Sequence, residues 1–192
     1  MPLSHGTSMK NTKRSQETLV QHLTPPPGIR MPRYPAHLDR VYRGAMAGFT
    51  GFLGVTAVGT GFSSPMIMDL GHWGAAASLL VAGWTFLVWL SSWRWFVRGL
   101  VLTGFLLAGW PALALVSWGL LLGASAIMAA KETHCFHFKA GKIIPWYTLF
   151  LGGLLLFTAP PAIEGGFAWL GLTGLWTWLV LGRLQLPLFV ID

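Results

Sequence analysis

The feature that most constrains the fold is a run from residue 99 to residue 130 without a charged side chain. A soluble domain carries about 25% charged residues, so a run of this kind is not expected to face water. As one helix it would be roughly 48 Å long, whereas the hydrocarbon core of a bilayer is about 30 Å thick. The run therefore predicts two short membrane spans or one steeply tilted or kinked span.

Four further apolar runs have lengths suited to crossing a membrane, and only 10% of the whole chain is charged. A span needs about 20 apolar residues. Pro111, after Gly109 and Trp110, favours a tight reversal within the long run, because proline removes a helical hydrogen bond and clashes with the preceding turn. Six spans result, at about 41–62, 73–91, 95–110, 112–130, 143–160 and 167–183.

The placement of the basic residues supports six spans. All thirteen fall on one side of this topology, namely Lys10, Lys13, Arg14, Arg30, Arg33, Arg40, Arg43, Arg94, Arg98, Lys131, Lys139, Lys142 and Arg183. The opposite loops hold only Asp69 and Glu164. Lys and Arg in short loops stay on the cytoplasmic side, so both termini are predicted to be cytoplasmic. The predicted fold class is an all-α, polytopic integral membrane helical bundle.

Residues 1–40 differ from the rest of the chain. They are polar and basic, with several prolines, a composition that cannot bury a core. We interpret them as a basic cytoplasmic tail preceding a membrane domain at residues 41–192. The first apolar run begins near Val41, too late for a signal peptide, so we expect no cleaved leader. The basic residues lie between apolar runs rather than on a folded water-facing surface, so the lipid bilayer is the predicted partner and nucleic acid is not.

Small residues are concentrated in the first span, at three- and four-residue spacings that allow close helix approach. They are Gly44, Gly48, Gly51, Gly54 and Gly59. This pattern predicts a packing helix, either inside the bundle or at an interface with a partner. The middle of each predicted span carries no ionisable side chain, which disfavours ion-coupled transport.

Two places carry candidate ligands for a cofactor or a metal. His72 beside Trp73, near the start of the second span, could ligate a chlorophyll or haem, although helix capping and interfacial solvation explain the histidine as well. After the fourth span, zinc or copper ligands are available at Glu132, His134, Cys135 and His137. Adjacent ligands seldom converge on one metal, so a plain interfacial loop is the favoured alternative, with Glu132 paired to a basic neighbour such as Lys131 or Arg98.

Short motifs in two places resemble a family of predicted integral membrane proteins known as domain of unknown function 2301. They are Lys131-Glu132-x-x-Cys135-Phe136 with Lys142 and Pro145 beyond it, and Tyr42-Arg43-Gly44. The similarity runs from about Asp39 to the last span. Family members occur in cyanobacteria and some other bacteria, so the resemblance implies a bacterial inner or photosynthetic membrane. It implies no activity, and Ala140, where the family tends to carry an acid, argues against shared acid or metal chemistry.

No nucleophile with a positioned base, carboxylate pair or phosphate loop can be identified, so an enzyme is not predicted. The leading hypothesis is a non-enzymatic accessory, assembly or structural subunit of a larger complex in an energy-converting membrane. It would dock through the glycine-rich span and the tail. The alternatives are a carrier or channel for a neutral or lipophilic solute, and a module that binds a pigment, quinone or metal. No particular cofactor follows from the sequence.

Overall fold

The computed structural model describes residues 33–88, 90–158 and 160–188. These residues form six α-helices, which are α1 (Ala36–Gly61), α2 (Pro65–Thr85), α3 (Ser91–Leu107), α4 (Ala114–Phe136), α5 (Lys139–Phe157) and α6 (Ala162–Leu184). A short 3-10 helix at Pro111–Leu113 leads into α4. Residues 1–32, most of the predicted tail, lie outside the described residues.

Three helical segments of the described chain are long and apolar enough to cross a membrane. They are Pro111–Phe136, Lys139–Phe157 and Ala162–Leu184. Helix α3 has only 17 residues, fewer than the roughly 20 of a full span. In α1 and α2, glycine, threonine and polar side chains dilute the hydropathy. The prediction of an all-α protein with membrane-compatible helices is therefore confirmed at this level.

Successive helices run antiparallel and pack closely at small residues. A Cβ added to Gly59 of α1 would lie 2.6 Å from the Met68 backbone nitrogen of α2. A Cβ on Gly104 of α3 would lie 2.9 Å from the Leu121 side chain of α4. Helix α6 returns to α1, so α1 packs most extensively against α2 and α6. The bundle therefore has two ends. Helices α1, α3 and α5 begin at one end, and α2, α4 and α6 begin at the other.

One end of the bundle, at the starts of α1, α3 and α5, carries the basic residues, and we call it the charged end. Among the described residues they are Arg33, Arg40, Arg43, Arg94, Arg98, Lys131, Lys139, Lys142 and Arg183. Asp69 and Glu164 lie in the opposite half, near the starts of α2 and α6. The antiparallel arrangement thus places these basic residues and these two acids in opposite halves of the bundle.

The uncharged run forms two helices rather than one kinked helix. Helix α3 ends with backbone hydrogen bonds from Ala108 N to Gly104 O at 3.1 Å and from Trp110 N to Leu107 O at 3.0 Å. Pro111, which has no N–H to donate, begins the next helical segment. Trp110 is 57% exposed, so the reversal lies at the surface of the bundle.

Several helix bounds differ from the predicted spans. Helix α1 begins at Ala36, so the predicted boundary between tail and membrane domain at residues 40 and 41 lies inside a helix. Helix α2 begins at Pro65 rather than near residue 73, which places His72 well inside it. Hydropathy detects only uninterrupted apolar stretches, whereas a helix continues through Asp69 and His72 because its backbone hydrogen bonds do not depend on side-chain polarity.

The interior between the helices is filled by large apolar side chains. Phe49 of α1 meets Trp176 of α6 edge-on, with ring centroids 5.1 Å apart. Leu53, Leu121 and Leu172 are fully buried in the same hydrophobic core. Side chains from α1, α4 and α6 therefore meet in one core. The same three helices extend from this core to the charged end.

We expect Gly71→Ala to lower the free energy of unfolding by about 1–3 kcal/mol through overpacking. A Cβ at Gly71 would meet the Thr56 side chain and lie 2.7 Å from the Thr56 backbone nitrogen. Gly174→Ala is the matched control, because a Cβ there meets no atom within 4 Å and alanine favours the helix. Thermal unfolding in mild detergent measures both variants, and equal losses of stability would contradict the expectation.

Candidate functional site: a buried charge cluster

Four ionisable side chains gather in the interior at the charged end, and we call them the charge cluster. Asp39 and Arg43 come from α1, Glu132 from α4 and Arg183 from α6. Their exposed fractions are 1%, 6%, 0% and 2%. Charges buried to this degree are costly unless they are paired and hydrogen-bonded. The geometry of the pairs therefore decides what this cluster does.

Arg183 connects the two acids of the cluster. Its Nη2 donates to Asp39 Oδ1 at 2.7 Å, and its Nε lies 3.2 Å from Glu132 Oε2. The guanidinium carbon also lies 4.2 Å from the centroid of the Phe136 ring. One side chain of α6 thereby holds α1 and α4 together.

Arg43 ties the segment after α6 to the start of α1. Its Nε donates to Asp39 Oδ2 at 2.9 Å, one helical turn away. Its Nη1 and Nη2 donate to the carbonyl oxygens of Leu186 and Pro187, at 2.7 and 2.6 Å. The guanidinium therefore neutralises Asp39 and also satisfies carbonyl groups that follow the last helix.

Glu132 is held by a second set of donors. Its Oε1 accepts hydrogen bonds from the Tyr42 hydroxyl at 3.1 Å and from Lys131 Nζ at 2.8 Å. The expected pairing with Lys131 is confirmed. The other basic neighbour considered, Arg98, instead donates to the carbonyl oxygen of Trp84 at 3.1 Å. Oε1 of Glu132 is thus hydrogen-bonded twice, and within the described chain Oε2 forms only the ion pair with Arg183.

Tyr34 extends this polar region to the end of α2. Its hydroxyl donates to the carbonyl oxygen of Thr85 at 3.0 Å. Burial raises the pKa of Tyr34 above its ordinary value, and the nearby Asp39 carboxylate adds to the shift. The hydroxyl therefore remains protonated at neutral pH and keeps donating this hydrogen bond.

The charge cluster is suited to positioning helices. Two carboxylates and two guanidiniums balance, and Lys131 at the edge adds one positive charge. Removing one partner of a buried ion pair leaves an uncompensated charge at a cost of about 3–5 kcal/mol. A rotation of α1 about its axis would remove Asp39 from Arg183. The cluster consequently fixes which face of α1 points into the bundle.

The predicted metal ligands diverge in the structure. Glu132 points into the charge cluster, Cys135 is half-buried, and His134 and His137 are exposed. His137 has a φ of 58° and ends α4 with a hydrogen bond from its backbone N–H to Thr133 O at 2.9 Å. Within the ranges that the structure describes, no group of three or more His, Cys, Asp or Glu side chains could hold a metal ion.

The predicted cofactor ligands, His72 and Trp73, point in different directions. His72 is buried, its Nε2 lies 2.8 Å from Ser117 Oγ, and its ring stacks on Trp118 at 4.6 Å. Trp73 is 43% exposed and contacts Phe105 edge-on. The two residues do not share one site, and a pigment metal bound to Nε2 would displace the Ser117 hydrogen bond.

An apolar groove of about 330 Å³ lies between α4 and α5. Its lining residues are uncharged, and they are Leu115, Val116, Trp118, Gly119, Leu120, Leu122, Gly152, Leu155 and Leu156. A Cβ at Gly119 or Gly152 would meet no atom within 4 Å, so neither glycine is packed against another helix. Trp118, which stacks on His72, also contributes to its wall.

The glycines of α1 separate into an inner set and an outer set. A Cβ at Gly48 would lie 3.0 Å from Ser78 Oγ, and one at Gly54 would lie 3.6 Å from a methyl carbon of Thr173. At Gly44 and Gly51 a Cβ would meet no atom within 4 Å. The glycine pattern therefore serves packing inside the bundle and also leaves an open outer face.

Sequence reasoning missed most of the charge cluster. The predicted tail includes Asp39, and the charge pattern uses Arg43 and Arg183 as indicators of the cytoplasmic side. Arg43 also belongs to the Tyr42-Arg43-Gly44 motif, which indicates no ion pair. One local signal was present, because Asp39 and Arg43 are four residues apart and so share one helix face. The contact of Asp39 with Arg183 spans 144 positions and has no local signal.

Comparisons with protein-family models, curated proteins and solved structures found no match to this chain. The resemblance to domain of unknown function 2301 therefore rests on the quoted motifs. Membership of that family stays a prediction.

We expect Arg183→Gln to lower the free energy of unfolding by about 3–5 kcal/mol, because Asp39 and Glu132 lose a shared buried cation. Lys142→Gln at the same end is the control, since Lys142 is exposed. Thermal unfolding in mild detergent measures both. Combining Arg183→Gln with Glu132→Gln should cost less than the sum of the two single changes, and additive costs would show that the two side chains do not interact.

Proposed function

We propose that the protein is a non-enzymatic accessory, assembly or structural subunit that packs laterally against another membrane protein. The observation that carries this proposal is the outer face of α1 at Gly44, Ala47 and Gly51, which we call the small-residue face. All three residues are exposed, and a Cβ at either glycine meets no atom within 4 Å. A helix of the partner is the proposed occupant.

The spacing of the small-residue face suits helix association in lipid. Gly44 and Gly51 are seven residues apart, about two turns, so they lie on the same side of the helix. Lipid tails are as apolar as leucine, so helices associate in a membrane by close packing at small residues. The exposed side chains of Val41 and Val58 lie near the two ends of the helix. The partner helix would thus meet a flat, apolar surface with little side-chain entropy to lose.

The charge cluster supports this proposal by orienting α1. Asp39 and Arg43 are held from inside the bundle, so the rotation of α1 about its axis is fixed and the small-residue face, about a quarter turn away, stays outside. A surface held in its binding orientation before association loses less conformational freedom on binding. The buried ion pairs and the small-residue face therefore act together on one helix.

For the topology, the proposal is six spans with both termini cytoplasmic. The collection of the described Lys and Arg residues at the charged end supports it, since basic residues are retained on the cytoplasmic side. The proposed location is a bacterial inner or photosynthetic membrane, and this rests on the family resemblance. The basic tail directly precedes α1 in the chain, so it would provide a second contact with the same partner.

We expect Gly44→Leu combined with Gly51→Leu to release the protein from its complex, because the larger side chains prevent close helix approach. Gly174→Leu is the matched control, at an exposed glycine of α6 that also has open space around it. Native gel electrophoresis after gentle solubilisation measures the result. The wild type and the control should migrate with the complex, and the double variant as the 21.0 kDa chain. Migration of the wild type as the free chain would contradict the proposal.

For the topology, we expect Glu164→Cys and Lys139→Cys to react from opposite sides of the membrane. Both carry an additional Cys135→Ala change, which removes the chain's single cysteine. A membrane-impermeant maleimide should label position 164 in intact cells and position 139 only after the membrane is opened. Labelling of both positions from the same side would exclude the six-span arrangement.

A further inference from the structure

The corner between α2 and α3 holds two arginines that the charge cluster does not use. Arg94 and Arg98 lie one turn apart on α3, at the charged end. Neither forms an ion pair with a carboxylate of the described residues, whereas Arg43, Lys131 and Arg183 all do. Two unneutralised arginines one helical turn apart create a local positive field that favours an anion.

Both guanidiniums also have N–H groups without an acceptor. Arg98 donates through Nη2 to the carbonyl oxygen of Trp84 at 3.1 Å. Its Nε and the Nη1 of Arg94 are shielded from water and have no hydrogen-bond partner among the described residues. Each arginine is only partly buried, so its outer nitrogens remain accessible. A ligand rich in acceptor oxygens can reach these outer nitrogens and adds hydrogen bonds that the described residues do not supply.

Exposed tryptophans lie against Arg98 and beside Arg94 in the chain. The guanidinium carbon of Arg98 lies 5.0 Å from the ring centroid of Trp95 and 5.7 Å from that of Trp84. Trp93, Trp95 and Trp84 are 46%, 67% and 49% exposed. Indole rings settle at the headgroup level of a bilayer, and the cation–π contacts limit the motion of Arg98. Arg98 is therefore held at the level of these indole rings, which is the depth of lipid phosphates, and Arg94 lies one turn away on the same helix.

We propose that Arg94 and Arg98 bind the phosphate of an anionic phospholipid. Planar guanidiniums match phosphate oxygens with paired hydrogen bonds, and basic pockets between helices at this level of a membrane bind anionic headgroups. Trp84 and Trp95 would contact the apolar part of the same lipid. The site lies on α3, away from the small-residue face of α1, so it does not depend on the proposed partner.

The test uses the purified full-length chain in mild detergent, with phosphatidylglycerol as the anionic probe and phosphatidylcholine as the zwitterionic one. Native mass spectrometry measures the lipid bound to each variant. Arg94→Gln with Arg98→Gln should bind phosphatidylglycerol about tenfold or more weakly than the wild type. Lys139→Gln with Lys142→Gln is the matched control, which removes two exposed charges from the same end and should bind as the wild type does.

Three results would overturn the proposal. The first is an equal loss of lipid binding in both double variants, which indicates general surface attraction, and the second is equal binding of the two lipids by the wild type. The third is displacement of phosphatidylglycerol by millimolar inorganic phosphate, which indicates a site for a free anion.

Thermal unfolding without lipid checks that the arginine variant is folded. If it is not, Arg94→Lys with Arg98→Lys replaces it. This variant keeps both charges but lacks the planar guanidinium group that forms paired hydrogen bonds with phosphate. It should bind phosphatidylglycerol more weakly than the Lys139→Gln, Lys142→Gln control.

Discussion

The charges buried at one end of the bundle must be paired, and this requirement fixes the orientation of three helices. Arg183 of α6 sits between Asp39 of α1 and Glu132 of α4, and each acid has a further cationic partner. In a poorly hydrated interior an unpaired charge costs several kcal/mol. The three helices consequently have one favourable set of rotations. Apolar packing alone would specify those rotations less strictly, because it is not directional.

This constraint gives α1 two different faces. Toward the bundle, the helix presents the acid and arginine of the charge cluster, and beyond them Phe49 and Leu53 in the core. Toward the outside it presents Gly44 and Gly51 with open space around them. A helix with one face inside and one face outside can stabilise its own bundle and still offer another protein a surface for close packing. The proposed role as a subunit rests on this arrangement.

The parts of the fold that sequence reasoning predicted are those with a local cause. Hydropathy located the apolar centres of the helices, and Pro111 located the reversal between α3 and α4, because each depends on a few neighbouring residues. The surroundings of the candidate site residues depend on distant contacts, which no local pattern predicts. Glu132 was grouped with His134 and Cys135 because they are close in sequence. The helical backbone instead turns Glu132 toward Arg183 and leaves His134 exposed.

The composition and order of the segments are enough to predict a helical chain, membrane-compatible helices, and the separation of the basic residues from Asp69 and Glu164. The meeting of Asp39, Arg43, Glu132 and Arg183, and the exposure of particular glycines of α1, depend instead on how the helices pack together. The physical reason is that these contacts join residues up to 144 positions apart. The rotation of each helix, set by all its neighbours together, determines whether such residues touch.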